Sequence, residues 1–107
     1  MRQGKVYYND ILAGVITETD SGEYVFHYDD DYFYNTHLPS ISVTLPKWKQ
    51  HHRSAFLFPF FFNMLSEGVN RKLQSRALKI DEADHFGMLL KTAAHETIGA
   101  ITVREND

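Results

Sequence analysis

The sequence predicts an α+β domain in which a curled, barrel-like antiparallel sheet of about five short strands packs with two or three helices. Three features predict it. Residues 5–28 contain three β-forming runs separated by two tight-turn signals. After residue 55 the apolar period lengthens from strand-like to helical. A last β-run, Gly99–Val103, closes the chain, and such a strand usually returns to pair with the first half of a mostly antiparallel sheet.

The first half reads as a meander. Lys5–Tyr8 and Ile11–Thr19 are strands joined by Asn9-Asp10, a dipeptide suited to a hairpin turn. Gly14 inside the second strand marks a bulge or a close backbone approach. Asp20-Ser21-Gly22 is the next turn. Glu23–Tyr28 then alternates, with Tyr24, Phe26 and Tyr28 on one side and Glu23, Val25 and His27 on the other. Asp29–Thr36 fits either a short helical turn or a loop. Ser40–Leu45 gives the cleanest alternation of the chain, Ile41, Val43 and Leu45 against Ser40, Ser42 and Thr44, and predicts a strand bracketed by Pro39 and Pro46. Lys47–Arg53 is polar and reads as a loop.

In the second half, Ala55–Leu65 is apolar on nearly every side, as a buried helix would be, with Pro59 in or just before its first turn. Ser66-Glu67-Gly68 breaks the run. Val69–Leu78 predicts a second helix, with Val69, Leu73 and Ala77 facing inward and Arg71, Lys72, Gln74 and Arg76 facing outward. Asp81 predicts the N-cap of a third helix over Asp81–Lys91, whose apolar face is Phe86, Leu89 and Leu90.

A chain of 107 residues fits one domain over residues 1–107. Its 43% hydrophobic content supplies one core without a metal or disulfide staple. The absence of cysteine points to a reducing compartment, and the opening MRQGKVYYND lacks the apolar segment of a secretory signal, so a cytoplasmic location is expected. The longest apolar run, Ala55–Phe62, is too short to span a bilayer. The net charge of −3 argues against nucleic-acid binding. Local clusters of opposite sign, basic at Lys47–Arg53 and Arg71–Lys79 and acidic at Asp29–Asp31 and Asp81–Asp84, fit either a charged protein partner or solvated faces.

Catalytic chemistry is not legible. The six glycines are too scattered for a phosphate loop, and no metalloprotease helix, C-x-x-C pair or G-x-S-x-G elbow occurs. His51-His52, adjacent in sequence, match no metal-ligand template. His95-Glu96 has the composition of an acid–base pair but no nucleophile beside it. No enzyme activity, metal or cofactor is expected. What stands out is aromatic excess. Trp48, in Lys-Trp-Lys-Gln-His-His-Arg, is either folded onto a sheet edge or an exposed anchor flanked by cations. The block Phe56, Phe58, Phe60, Phe61, Phe62 exceeds what one helix face can bury in so small a domain, so one or two of these rings are expected at the surface. Trp48, Phe58 and Phe60 are the expected partner-binding residues.

Five segments in order carry a family likeness. Val6-Tyr7-Tyr8-Asn9-Asp10 with Ala13-Gly14-Val15-Ile16, Leu38–Pro46, Phe58–Gly68, Asp84–Leu90 and Thr97–Val103 resemble successive motifs of the HipA N-terminal domain. The likeness spans residues 5–105. Ser66 replaces a proline usual after the Leu-Leu pair, and Ala94 and Glu96 stand where many members have a G-x-D turn. In large members this domain precedes a kinase body. In a three-gene arrangement it is a separate small protein, HipS, beside a shortened kinase, HipT, and a helix-turn-helix protein, HipB. The chain starts at methionine and stops two residues after the family domain ends, which fits a complete small protein. The resemblance therefore implies an antitoxin that binds and inhibits a HipT-like serine/threonine kinase, in a ternary complex with a HipB-like DNA-binding protein, without itself touching nucleic acid or membrane. The alternatives are the N-terminal regulatory domain of a full-length HipA-type kinase and a generic protein-binding adapter.

Overall fold

A computed structural model describes residues 1–94 and 99–106. Five antiparallel strands, β1 (Arg2–Tyr8), β2 (Ile11–Glu18), β3 (Tyr24–Tyr28), β4 (His51–Ser54) and β5 (Ile101–Glu105), form one sheet in the order β4-β3-β2-β1-β5. The sheet is open rather than barrel-like, with β4 and β5 as its edges. Four helices are present among the described residues: α1 (Asp30–Tyr34), α2 (Pro59–Phe62), α3 (Gly68–Leu78) and α4 (His85–Thr92).

The hairpin turn falls at Asn9-Asp10, both with positive φ (45° and 66°), the backbone that two-residue hairpin loops require. Both readings of Gly14 hold. The β1–β2 register shifts between Val6 and Tyr7, leaving Ala13 as the extra residue, and a Cβ on Gly14 would run into the His27 carbonyl and the Phe26 ring.

One face of the sheet forms the core. Val6, Ile16, Phe26, Tyr28 and Val103 are buried there against Phe61 of α2 and Phe86, Met88 and Leu89 of α4. Arg2 ties the layers together, its guanidinium bridging Glu18 on β2 (Nε to Oε1, 2.9 Å) and Asp84 (Nη1 to Oδ2, 2.9 Å). The other face carries the paired row Arg104, Lys5, Val15, His27 and His51.

Several elements differ from expectation. Ser40–Leu45 is a loop, and the fourth strand lies in the segment read as a polar loop. Pro39 and Pro46 offer no backbone N–H, and the Tyr28 hydroxyl binds the Ile41 amide and the Leu45 carbonyl, taking the place of a ladder. Ile41 and Leu45 turn inward while Val43 is 94% exposed. The helix expected over Ala55–Leu65 is a single turn. Phe58 precedes it in extended conformation and Pro59 opens it, which excludes Ala55–Leu57. The N-cap of α4 is Asp84, not Asp81: its carboxylate accepts from the Gly87 amide at 3.1 Å.

Helix α3 forms as expected, with Lys72 and Arg76 outward as expected, but its apolar side also faces outward. None of its residues is buried. Val69, Leu73 and Ala77 face solvent, whereas Arg71, Gln74 and Ser75 are the partly covered residues. The cause is local: Arg71 Nε donates to the Glu82 carbonyl at 2.9 Å and the Ser75 hydroxyl to the Ile80 carbonyl, so polar contacts with the segment after the helix set its rotation.

Candidate partner-binding surface

Loop 38–49 is built to hold a fixed shape. The Lys47 ammonium donates to the carbonyls of Asn35 (2.7 Å) and Leu38 (2.8 Å) and lies 5.1 Å over the Tyr32 ring. Burial lowers the Lys47 pKa. Burial likewise pushes the Tyr32 phenol up to about 12, and its hydroxyl donates to the Pro39 carbonyl at 2.6 Å. His52 closes the far end of the loop. Its ring Nε2 lies 3.1 Å from the Pro46 carbonyl and 2.9 Å from that of Lys49; both are acceptors, so Nε2 carries the proton.

On this braced loop Trp48 is 80% exposed. It is not folded onto the sheet edge. A rigid backbone presenting a large ring to solvent costs little further ordering on contact, which is the physical requirement for an anchor.

The phenylalanine block divides differently from expectation. Phe58 is 7% exposed and belongs to the core, edge-on to Phe61. Phe60 is half-buried against Phe61. The rings at the surface are Phe56, 80% exposed, and Phe62. Pro59 was the available signal: once it opens the helix, Phe56 lies outside, and Phe62 falls one residue past the buried Phe61.

Phe56 and Phe62 border a groove of about 340 Å³, together with Tyr24, Leu57 and His85. The Phe62 ring stands edge-on to His85 at 5.0 Å, and Arg71 Nη2 donates to His85 Nδ1. Burial raises the Tyr24 pKa, and its hydroxyl donates to Glu18 at 3.1 Å. The groove and Trp48 lie at opposite ends of β4, whose four residues span roughly 10 Å.

The remaining polar candidates do not converge. His27 and His51 face each other across β3 and β4, Nδ1 to Nδ1 at 2.9 Å, but among the described residues no three His, Cys, Asp or Glu side chains gather to hold a metal. His52 points the opposite way from His51, into the core. His95-Glu96 lies outside the described residues. No described helix is long and apolar enough to cross a membrane.

Comparison with known proteins agrees with this architecture. The family profile described as the HipA N-terminal domain matches residues 4–104. A protein of Haemophilus influenzae carrying no functional name is 30% identical over 105 residues, covering 98% of this chain and 93% of its own. A solved structure, the N-terminal domain of HipA toxin, superposes with a TM-score of 0.75 at 27% identity, covering 100% of this chain and 94% of that one. The matched unit is the N-terminal domain, not a kinase body. The chain belongs to the HipA N-terminal domain family.

Proposed function

We propose that this chain is a non-enzymatic antitoxin that binds and inhibits a HipT-like serine/threonine kinase, in a complex completed by a HipB-like helix-turn-helix DNA-binding protein. The observation that carries this reading is the exposed Trp48 on a loop locked by Lys47, Tyr28 and His52, in a member of the HipA N-terminal domain family. A presented aromatic beside the exposed Lys49 suits a protein contact: the ring supplies desolvated area and the cation steers encounter. The groove beside Phe56 and Phe62 offers a second apolar contact at the other end of β4.

The likeness to the N-terminal domain of HipA toxin favours a second reading, a regulatory domain acting on a kinase body in its own chain. Mixing the purified chain with the HipT-like kinase separates the two. The antitoxin reading expects a stable complex in gel filtration and a loss of kinase autophosphorylation that saturates with added chain. No complex at micromolar concentrations would overturn it.

A further inference from the structure

We infer that α3 is a docking helix whose outward stripe, Val69, Leu73 and Ala77, seats in an apolar furrow of a partner protein bordered on one side by carboxylates. The inference rests on the kinase-binding reading above and assigns that partner a second point of contact.

The apolar side of α3 faces solvent. At 100° per residue, Val69, Leu73 and Ala77 fall within about 80° of one another, a continuous apolar line along an 11-residue helix. They point away from the protein: Val69 is 71% and Leu73 57% exposed. The opposite side is tied by polar contacts to the segments that flank the helix, Arg71 to the Glu82 carbonyl, Ser75 to the Ile80 carbonyl and Gln74 to Ser66. The usual amphipathic arrangement is therefore reversed, and its rotation is fixed by bonds that leave the stripe outside. A helix of this length with no buried side chain is marginal alone, so cover over the stripe is what it lacks.

Charge identifies the occupant. Residues 68–79 carry Arg71, Lys72, Arg76 and Lys79 and no acid. Arg71 is engaged inward, while Lys72 and Arg76 line one flank of the stripe. Asp81 and Glu82 lie beyond them, on the far side of a shallow hollow from the stripe. A furrow with carboxylates along that flank satisfies both features at once. Other occupants fit worse. An anionic bilayer would meet a stripe of only three small or medium side chains with no aromatic to insert. Nucleic acid would find apolar side chains at the centre of the contact. A second copy of α3 offers no carboxylate to Lys72 and Arg76.

The test titrates wild type, Leu73→Asp, the double variant Lys72→Glu/Arg76→Glu and a control, Lys5→Glu on the outer sheet face, against the HipT-like kinase. A melting curve for each confirms the fold, which these exposed positions should leave intact. Leu73→Asp should weaken binding tenfold or more. The charge reversal should do the same at low salt, with a smaller effect at high salt. Lys5→Glu should match wild type. If wild type binds and both α3 variants bind within twofold of it, the docking role of α3 is overturned while the kinase reading stands. If wild type does not bind the kinase, both fall. Two further outcomes overturn the protein furrow: wild type binding vesicles containing phosphatidylserine with loss in the charge reversal, or self-association lost in Leu73→Asp, either one with kinase affinity unchanged.

Discussion

The backbone amide of Ile41 donates to the hydroxyl of Tyr28 at 3.1 Å, and the same hydroxyl donates to the carbonyl of Leu45. One buried phenol on β3 thus satisfies two backbone groups of loop 38–49, and burial raises its pKa. Tyr28→Phe keeps the ring but strands a buried donor and a buried acceptor. It should cost about 1–3 kcal/mol and loosen the loop that presents Trp48. Urea unfolding measures the first effect. Hydrogen exchange at Ile41 measures the second, and protection equal to wild type would show that the phenol does not brace the loop.

Asp84 links acid stability to helix capping. Its hydrogen bonds with Arg2, opposed by partial burial and assisted by the Gly87 amide, hold its pKa below the ordinary value of 3.8. A carboxylate depressed in the folded state stabilises above its unfolded pKa, and that contribution is lost as pH falls through the lower folded value. Asp84→Asn retains a capping oxygen but removes the charge. Its stability should therefore fall less steeply than wild type below pH 3.8. Asp84→Ala should cost about 1 kcal/mol at neutral pH through loss of the cap. Denaturant midpoints across acid pH check both.

Two phenylalanines five residues apart should behave in opposite ways. Phe61 is fully buried between Phe26, Phe58 and Phe60, and Phe61→Ala should cost roughly 3–5 kcal/mol. Phe56 is largely exposed, and Phe56→Ala should stay within about 0.5 kcal/mol of wild type. Equal losses in chemical denaturation would contradict the division of the aromatic block between core and groove.

Trp48→Ala should leave the melting temperature near that of wild type, because the ring has little to pack against. If Trp48 anchors the kinase, the same change should weaken binding by about 2 kcal/mol or more. Calorimetric titration of both proteins decides the point, and equal affinities would move the anchor to the groove at Phe56 and Phe62.

By itself the sequence determined the β-hairpin, the third strand, the closing strand and the helix rich in Phe86, Leu89 and Leu90. In each of these, turn residues such as Asn9-Asp10 and apolar spacing agree with the packing, so local preference and tertiary demand coincide. The five ordered motifs also fixed the family. Local pattern failed where one distant side chain or bond could override it. Ser40–Leu45 alternates like a strand, yet the Tyr28 hydroxyl captured its backbone, and the polar His51–Ser54 became the edge strand, pairing with β3 on one side only while the His52 ring turns inward, edge-on to Tyr28. The tertiary structure alone decided which aromatic rings face water and which way α3 turns. Helical spacing groups Val69 with Leu73 and Ala77, but only the bonds from Arg71 and Ser75 to carbonyls beyond the helix determine whether that group faces the core or the solvent.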